Sequence, residues 1–429
     1  MYTSMFRKAM LGDTATLSLD LSSGTLPTAI TFTRADSTAR ATYIDASGYV
    51  KTVTAAGDPR FDYTGGVAKG LLIEAGATNL CLNGRYCWGG SWGTALEIHI
   101  NSVNGTSGTQ YVDRIAGPDN GTLTGTSVFK QAGSTYVRIN TSETVSALQQ
   151  YTYSMWVRAG TGGATYFQLA PFNGGTPLTT VGSCSDSGVG INNTSAFGST
   201  FSNLPSDRWV RVSVVFTTAV GQTSVLLTVY PNLFTTAAST NYIWGAQLET
   251  GSVASSSIAT TTAALTRLAD DAVIRSTAWT SLYAQPGAMV VEFYRGAYGT
   301  GDRSIMSTDT TAARHWHLKQ ANASATAQIA FSTGSPVTQT GLIAGLNKVA
   351  IAWNAPTPTA SFDMCVNGAT PTFGGSNVGT TLSTWLTLGS QSTTGVSGTG
   401  VWDGYLNNSI KSVKYYTGLT YAEMQAKTT

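Results

Sequence analysis

The sequence predicts an all-β protein with two antiparallel β-sandwiches that follow a small irregular N-terminal region. The first observation is composition. The 429 residues include 47 glycines, and only 11% are charged, which disfavours helices and favours strands joined by tight turns. The second observation is that several segments alternate apolar and polar residues, as half-buried strands do. The third is the presence of Asn-Gly pairs, which are typical of hairpin turns.

Charge and hydropathy exclude several classes of protein. The 24 Lys and Arg residues nearly balance the 22 Asp and Glu residues, so a nucleic-acid partner, which needs clustered cations, is not expected. No apolar run approaches the ~18 residues of a membrane-spanning helix, and no membrane insertion is predicted. At 42% hydrophobic residues, the chain has enough apolar surface to fold.

Residues 1–80 are predicted to be a separate N-terminal region without a full core. Short apolar segments alternate there with the turn signals Ser47-Gly48, Asp58-Pro59 and Gly65-Gly66. This pattern favours small strands and an extended arm.

Residues 81–268 contain the clearest strand patterns. In residues 151–158, Tyr and Val side chains alternate with polar ones, and residues 209–216 repeat the arrangement. Residues 224–230 form a third predicted strand, and Asn104-Gly105 and Asn120-Gly121 are predicted turns. Strands at this spacing predict an antiparallel sandwich.

Residues 269–429 repeat the pattern with a different sequence, at predicted strands 288–294, 348–353 and 361–366. Thr420-Tyr-Ala-Glu423 fits a capping box and predicts a short helix that ends near Lys427. The Ser/Thr-rich residues 255–262 are predicted to be a linker between the two sandwiches.

Several motifs together resemble a family of tailed-bacteriophage virion proteins. The resemblance is carried by the following segments: Phe32-Thr-Arg-Ala35, Ala41-Thr-Tyr-Ile-Asp45, Pro59-Arg-Phe-Asp-Tyr63, Gly70-Leu-Leu-Ile-Glu74, Ile243-Trp-Gly-Ala-Gln-Leu-Glu249, and Leu265-Thr-Arg267 with Asp270. It is specific in residues 32–80 and 243–270 and weaker in the C-terminal part.

This resemblance implies a fold and a place of action. Residues 81–268 are expected to form a jelly roll similar to carbohydrate-binding modules, and residues 269–429 a concanavalin-like (laminin-G-like) lectin sandwich. Residues 1–80 are expected to anchor the chain to a virion or to a neighbouring subunit of the oligomer. The family implies a fibre, spike or decoration protein made in the host cytoplasm. Its expected partners are other virion proteins, further copies in a homotrimer, and host surface polysaccharide.

Candidate glycan-binding residues follow from the strand pattern. Trp156 and Arg158 on one strand, and Trp209 and Arg211 on another, lie on the face opposite the aliphatic side chains. Aromatic rings stack on pyranose rings while polar groups bind the hydroxyls, and Tyr230 could belong to the same surface. The alternative is that these rings pack beneath the N-terminal arm or a second sheet.

A loop adds two further candidates, Trp88 and Trp92, in the segment Cys87-Trp-Gly-Gly-Ser-Trp92. The alternative for this loop is an aromatic plug at the end of the sandwich. No metal site or cofactor is predicted. His315 and His317 share a strand face without a third ligand, and the loop acids Asp302, Asp309 and Asp403 are either calcium ligands or solvated carboxylates.

No catalytic residue is assigned, because no nucleophile motif or facing acid pair is recognisable. The resemblance implies a non-enzymatic function, namely attachment to host surface glycan. Two alternatives remain open: a purely structural decoration or connector protein, and a capsule-degrading glycosidase.

Overall fold

The computed structural model describes residues 15–429 with gaps. The residues outside the description are 1–14, 39, 83–98, 103–111, 122–124, 131, 133, 163–165, 196–197, 232–236, 261–262, 276–278, 280–281, 285, 296–301, 309–315, 322–323, 332–335, 354–358, 379–384 and 391–404.

Strands dominate the described residues. The first half of the chain contains β1 (Leu17–Asp20), β2 (Ile30–Thr33), β3 (Thr42–Ile44), β4 (Val50–Thr52), β5 (Phe61–Thr64), β6 (Val67–Ile73), β7 (Ala77–Asn79), β8 (His99–Ser102), β9 (Val112–Ile115), β10 (Gly125–Lys130), β11 (Ser134–Thr144), β12 (Gln150–Ala159), β13 (Phe167–Asn173), β14 (Thr176–Pro177), β15 (Val181–Cys184), β16 (Gly190–Ser195), β17 (Gly198–Ser202), and β18 (Val210–Thr217). The second half contains β19 (Ser224–Pro231), β20 (Ser239–Thr250), β21 (Leu265–Arg267), β22 (Asp271–Arg275), β23 (Gly287–Arg295), β24 (Arg303–Thr308), β25 (Trp316–Gln320), β26 (Thr326–Phe331), β27 (Val337–Thr340), β28 (Gly345–Trp353), β29 (Thr359–Val366), β30 (Thr372–Val378), β31 (Trp385–Leu388), β32 (Asn408–Tyr416), and the helix α1 (Tyr421–Thr428).

The chain divides into two compact units. Unit 1 comprises the described residues of 1–35, 55–75 and 269–429, and unit 2 those of 36–54 and 76–268. Each unit is a sandwich of two antiparallel sheets, so the predicted all-β fold with two sandwiches is confirmed.

Unit 2 stacks a six-stranded sheet (β15-β18-β12-β20-β10-β9) on a second sheet (β16-β17-β13-β19-β11-β8, with β14 beside β13). The alternation in β12 and β18 sends one set of side chains into the core between the sheets. That set includes Tyr153, Met155, Val212 and Val214, all fully buried. These inward faces are the ones that the sequence pattern predicts.

Unit 1 stacks the sheet β30-β29-β28-β23-β32-β6-β5, with β1 beside β32, on the sheet β2-β22-β31-β24-β25-β26-β27. Its core is rich in aromatic side chains: Trp316 lies fully buried, and the rings of Trp279 and Tyr283 stack with centroids 5.5 Å apart. Helix α1 begins with the predicted capping box, in which the Glu423 backbone N–H donates to the Thr420 side chain and the Glu423 carboxylate accepts from the Thr420 backbone.

The strands of the N-terminal residues belong to both sandwiches. β1, β2, β5 and β6 pair within the sheets of unit 1. In unit 2, β3 and β4 form a hairpin, and β7 pairs with β21. The structure thus places these residues in the two units rather than in a region of their own, because most of their strands find partners far along the chain. Virion anchoring by residues 1–80 stays a prediction.

A buried ion cluster joins four of the motif residues in unit 1. Arg60 donates to Glu74 at 2.6 Å and also to Asp270, while Arg34 donates to the second Asp270 oxygen at 3.0 Å. All four side chains are buried. Burial acts to lower the pKa of Arg60, but the charges of Asp270 and Glu74 outweigh it and raise that pKa above its usual value. The motif charges are therefore structural: two cations neutralise two anions inside the fold.

In the described part of the chain, no helix is long and apolar enough to cross a membrane.

Candidate functional site

The outward face of the six-stranded sheet of unit 2 carries the predicted glycan-binding strands. In β12 the residues that alternate with the core set, Ser154, Trp156 and Arg158, point away from the core. The cross-strand register places Trp156 opposite Arg211 of β18 and opposite Trp244 of β20. Polar and aromatic side chains therefore form rows across three neighbouring strands.

Most of this face is covered within unit 2. Trp156 is only 9% exposed and packs with Trp244, Val50 and Ile44, and the last two belong to the hairpin of β3 and β4. The Trp156 indole N–H donates to Ser257 Oγ at 3.0 Å. For Trp156 the alternative interpretation holds: the ring lies beneath a segment from the N-terminal region and is not a free sugar platform.

Residues 255–258 also cover this face, so the predicted Ser/Thr-rich linker is wrong for the part that the structure describes. Arg211 donates to the Ser255 carbonyl and, at 2.9 Å, to Ser154 Oγ. The Ser255 hydroxyl and backbone N–H both donate to the carboxyl group of Glu249. Burial raises the pKa of Glu249, although the Arg211 charge and the Ser255 hydrogen bonds act against the shift. Arg211 is thus engaged in holding the covering segment.

One row of the face remains partly exposed. Arg158 is the central residue of this row, with Trp209 preceding β18 on one side and Tyr242 of β20 on the other. The guanidinium carbon lies 5.3 Å from the Trp209 ring centroid and 4.6 Å from the Tyr242 centroid. The two ring centroids are 6.5 Å apart, and the planes are tilted by 51°. We call these three residues the Arg158 clamp.

Within the described ranges, the positive charge of the clamp has no acidic partner. Among the described residues no carboxylate pairs with Arg158, and its buried Nε has no hydrogen-bond acceptor. Two cation–π contacts hold the guanidinium in place but do not neutralise it. A planar guanidinium fixed in this way presents a forked donor set that matches a carboxylate.

The structure separates the remaining candidates from this row. Tyr230 belongs to β19 in the opposite sheet, where it packs with Ala170 and Phe172 on that sheet's outward face. Sequence alternation places a residue on a face but does not say which sheet its strand joins. Trp88 and Trp92 lie outside the described residues.

The sequence pattern did not single out Tyr242. The alternation of residues 241–244 could have marked it as outward-facing. Its importance depends on the pairing of β20 with β12, which joins residues more than 80 positions apart and is not readable from local pattern.

The metal candidates are placed differently from one another. His317 is buried on β25, and Asp302 forms an ion pair with Lys319; His315, Asp309 and Asp403 lie outside the description. No group of three or more His, Cys, Asp or Glu side chains is gathered as a metal site in the described ranges. Calcium binding stays an open alternative.

Comparisons with known proteins found similarity to solved structures. No protein-family model and no curated protein matches the chain. Among solved structures, the chain is similar to the CBM40 module of the Ruminococcus gnavus IT-sialidase bound to α2,3-sialyllactose, with 16% identity, a TM-score of 0.25, and coverage of 35% of this chain and 87% of that chain. It is also similar to domains LG4-5 of the mouse laminin α1 chain, with 11% identity, a TM-score of 0.20, and coverage of 63% and 82%. At these identities and TM-scores, neither likeness says what this chain binds.

Proposed function

We propose that this chain is a glycan-binding attachment protein of a bacteriophage virion, and that it holds an acidic surface polysaccharide through the Arg158 clamp. The observation that carries the binding proposal is the partly exposed guanidinium between two aromatic rings, without an acid partner among the described residues. The virion setting rests on the sequence motifs alone.

The clamp supplies two kinds of contact to a sugar. The Trp209 and Tyr242 rings offer apolar surface for the C–H face of a pyranose, and Arg158 offers paired N–H donors for a carboxylate. The rings also hold the guanidinium in one orientation, which lowers the entropy lost when the ligand binds. A shallow site of this size binds weakly, so repeated copies, such as the homotrimer displayed on a virion, would supply avidity.

The test is affinity electrophoresis of the full chain through gels that contain polygalacturonate, hyaluronan or polysialic acid, with a gel that contains no polysaccharide as the reference. We expect retardation by at least one acidic polymer, weakened by salt because the contact is ionic. Arg158→Gln should weaken binding about tenfold or more, since a charged hydrogen bond is lost. Trp209→Ala should weaken it as well.

The matched control is Arg208→Gln, which removes an exposed arginine of unit 2 that pairs with Asp186 and Asp207. It lowers the net charge by the same amount and should leave retardation unchanged. Equal losses in R158Q and R208Q would reveal a nonspecific charge effect and contradict the proposal. Release of oligosaccharide from any polymer would instead favour the glycosidase alternative.

A purely structural role is the second candidate, and the covered face favours it. Trp156 and Trp244 are enclosed by the β3–β4 hairpin rather than offered to a ligand. Absence of retardation by every acidic polymer would support a decoration or connector protein whose partners are other virion proteins.

A further inference from the structure

A pair of exposed aromatic rings lies on unit 1, whereas the Arg158 clamp belongs to unit 2. Phe373 of β30 is 54% exposed, and Tyr421 at the start of α1 is 50% exposed. Their ring centroids are 4.7 Å apart and the planes are inclined by 56°. The two rings contact one another and are about half exposed, so together they form an apolar patch. Exposed apolar side chains that are scattered singly do not form such a patch.

A bulge in the sheet turns Phe373 outward. In the pairing of β29 with β30, Phe362 lies opposite Gly375 and Met364 opposite Thr372. One residue of β29, Asp363, therefore faces two residues of β30, at positions 373 and 374. Such bulges redirect a side chain at the edge of a sheet, and β30 is the edge strand of this sheet.

The bulge also places a carboxylate beside the rings. The Tyr421 hydroxyl donates to Asp363 Oδ2 at a long 3.3 Å. Burial raises the pKa of Asp363, and the bond from Tyr421 acts against the shift. An ionised carboxylate has about four acceptor positions, and among the described residues the bond from Tyr421 fills one of them. Ala352 lies opposite Asp363 on β28 and is small and partly exposed. The Asp363 side chain therefore stays partly accessible to solvent.

From this geometry we infer a second binding site, formed by Phe373, Tyr421 and Asp363, for a neutral hexopyranose. The rings take the C–H face of the sugar, and Asp363 accepts hydrogen bonds from its hydroxyl groups. The negative charge of Asp363 repels a uronate or sialate, so the ligand class differs from that proposed for the Arg158 clamp. This second site does not depend on the clamp.

The test is affinity electrophoresis of the full chain through dextran, yeast mannan and galactomannan gels, with urea unfolding to check each variant. We expect retardation by at least one of these neutral polymers, and about tenfold weaker binding in Phe373→Ala and Tyr421→Ala. Tyr421→Phe keeps the ring and removes only the hydroxyl group, so it should weaken binding less than Tyr421→Ala does. Ile343→Ala, which trims a comparably exposed apolar side chain of unit 1, is the matched control and should bind as the parent does.

The clamp variant separates the two proposals. Arg158→Gln should keep its retardation by the neutral polymer, whereas Phe373→Ala should keep its retardation by the acidic one. The second site is overturned if no neutral polymer retards the parent, if Phe373→Ala binds normally, or if Arg158→Gln loses neutral binding too.

Discussion

Replacing Asp270 by Asn should strongly destabilise unit 1. Asp270 accepts from both Arg34 and Arg60 and also from the Glu74 backbone N–H at 2.9 Å. The amide keeps the shape of the side chain but removes its charge. Arg60 then keeps its bond to the Glu74 carboxylate and Arg34 its bond to the Asp58 carbonyl, but both guanidinium groups lose the charge of Asp270.

The magnitude follows from that charge count. Breaking a buried pair by neutralising one partner typically costs about 3–5 kcal/mol, because a buried charge is left uncompensated. Whole domains are stable by only about 5–15 kcal/mol. We therefore expect Asp270→Asn to lose a large part of the unfolding free energy of unit 1 and to lower its Tm by roughly 10 °C.

The assay is urea unfolding followed by tryptophan fluorescence, since unit 1 buries Trp279, Trp316 and Trp353. Asp207→Asn is the control, because Asp207 is a largely exposed partner of Arg208; it should not move the midpoint. Arg34→Met should cost less in the Asp270→Asn background than in the parent, since its partner is already gone. A loss below about 1 kcal/mol for Asp270→Asn, or additive effects with Arg34→Met, would show that the cluster does not hold unit 1 together in this way.

Two further predictions concern unit 2. Burial raises the pKa of Glu143 to about 7, well above its ordinary value. The folded state therefore binds the proton more tightly than the unfolded state does, so stability should fall as the pH rises from about 4.5 to about 7 and stay lower above that range. Glu143→Gln should remove this fall and be more stable than the parent by about 2 kcal/mol at pH 8. Urea midpoints of both proteins at pH 5 and pH 8 measure the difference. If stability changes equally with pH in the parent and the variant, the prediction is wrong. Trp156→Ala should lower the free energy of unfolding by about 3 kcal/mol, because the ring is buried beneath the hairpin. Trp209→Ala removes a partly exposed ring and should lower it clearly less in the same urea assay. Equal losses for the two variants would contradict the burial argument.

The strands and the helix were readable from local pattern. Residues 151–158, for example, alternate so regularly that the inward set, with Tyr153 and Met155, follows from the alternation itself. The capping box of α1 is equally local, since its two residues are three apart. Period-two alternation and capping depend only on neighbouring residues, and such features survive folding unchanged.

The candidate site was only partly readable. Arg158 and Trp209 belong to the outward row, as the alternation predicts, but the sequence did not show that Trp156 is buried while these two residues stay partly exposed. That difference depends on where the β3–β4 hairpin lies, more than 100 residues earlier in the chain. Tyr242 joined the row only through the pairing of β20 with β12.

Composition and a two-residue period are enough to specify the all-β class, the two sandwiches and the face on which a strand residue lies. Folding selects the rest. It decides which motif charges meet in the buried ion cluster, which aromatic rings are covered, and that Arg158 has no acidic partner among the described residues. Those outcomes depend on pairings between distant segments, such as Arg34 with Asp270. No local pattern records such pairings, since many alternative registers would satisfy the same alternation and only the packed chain selects one.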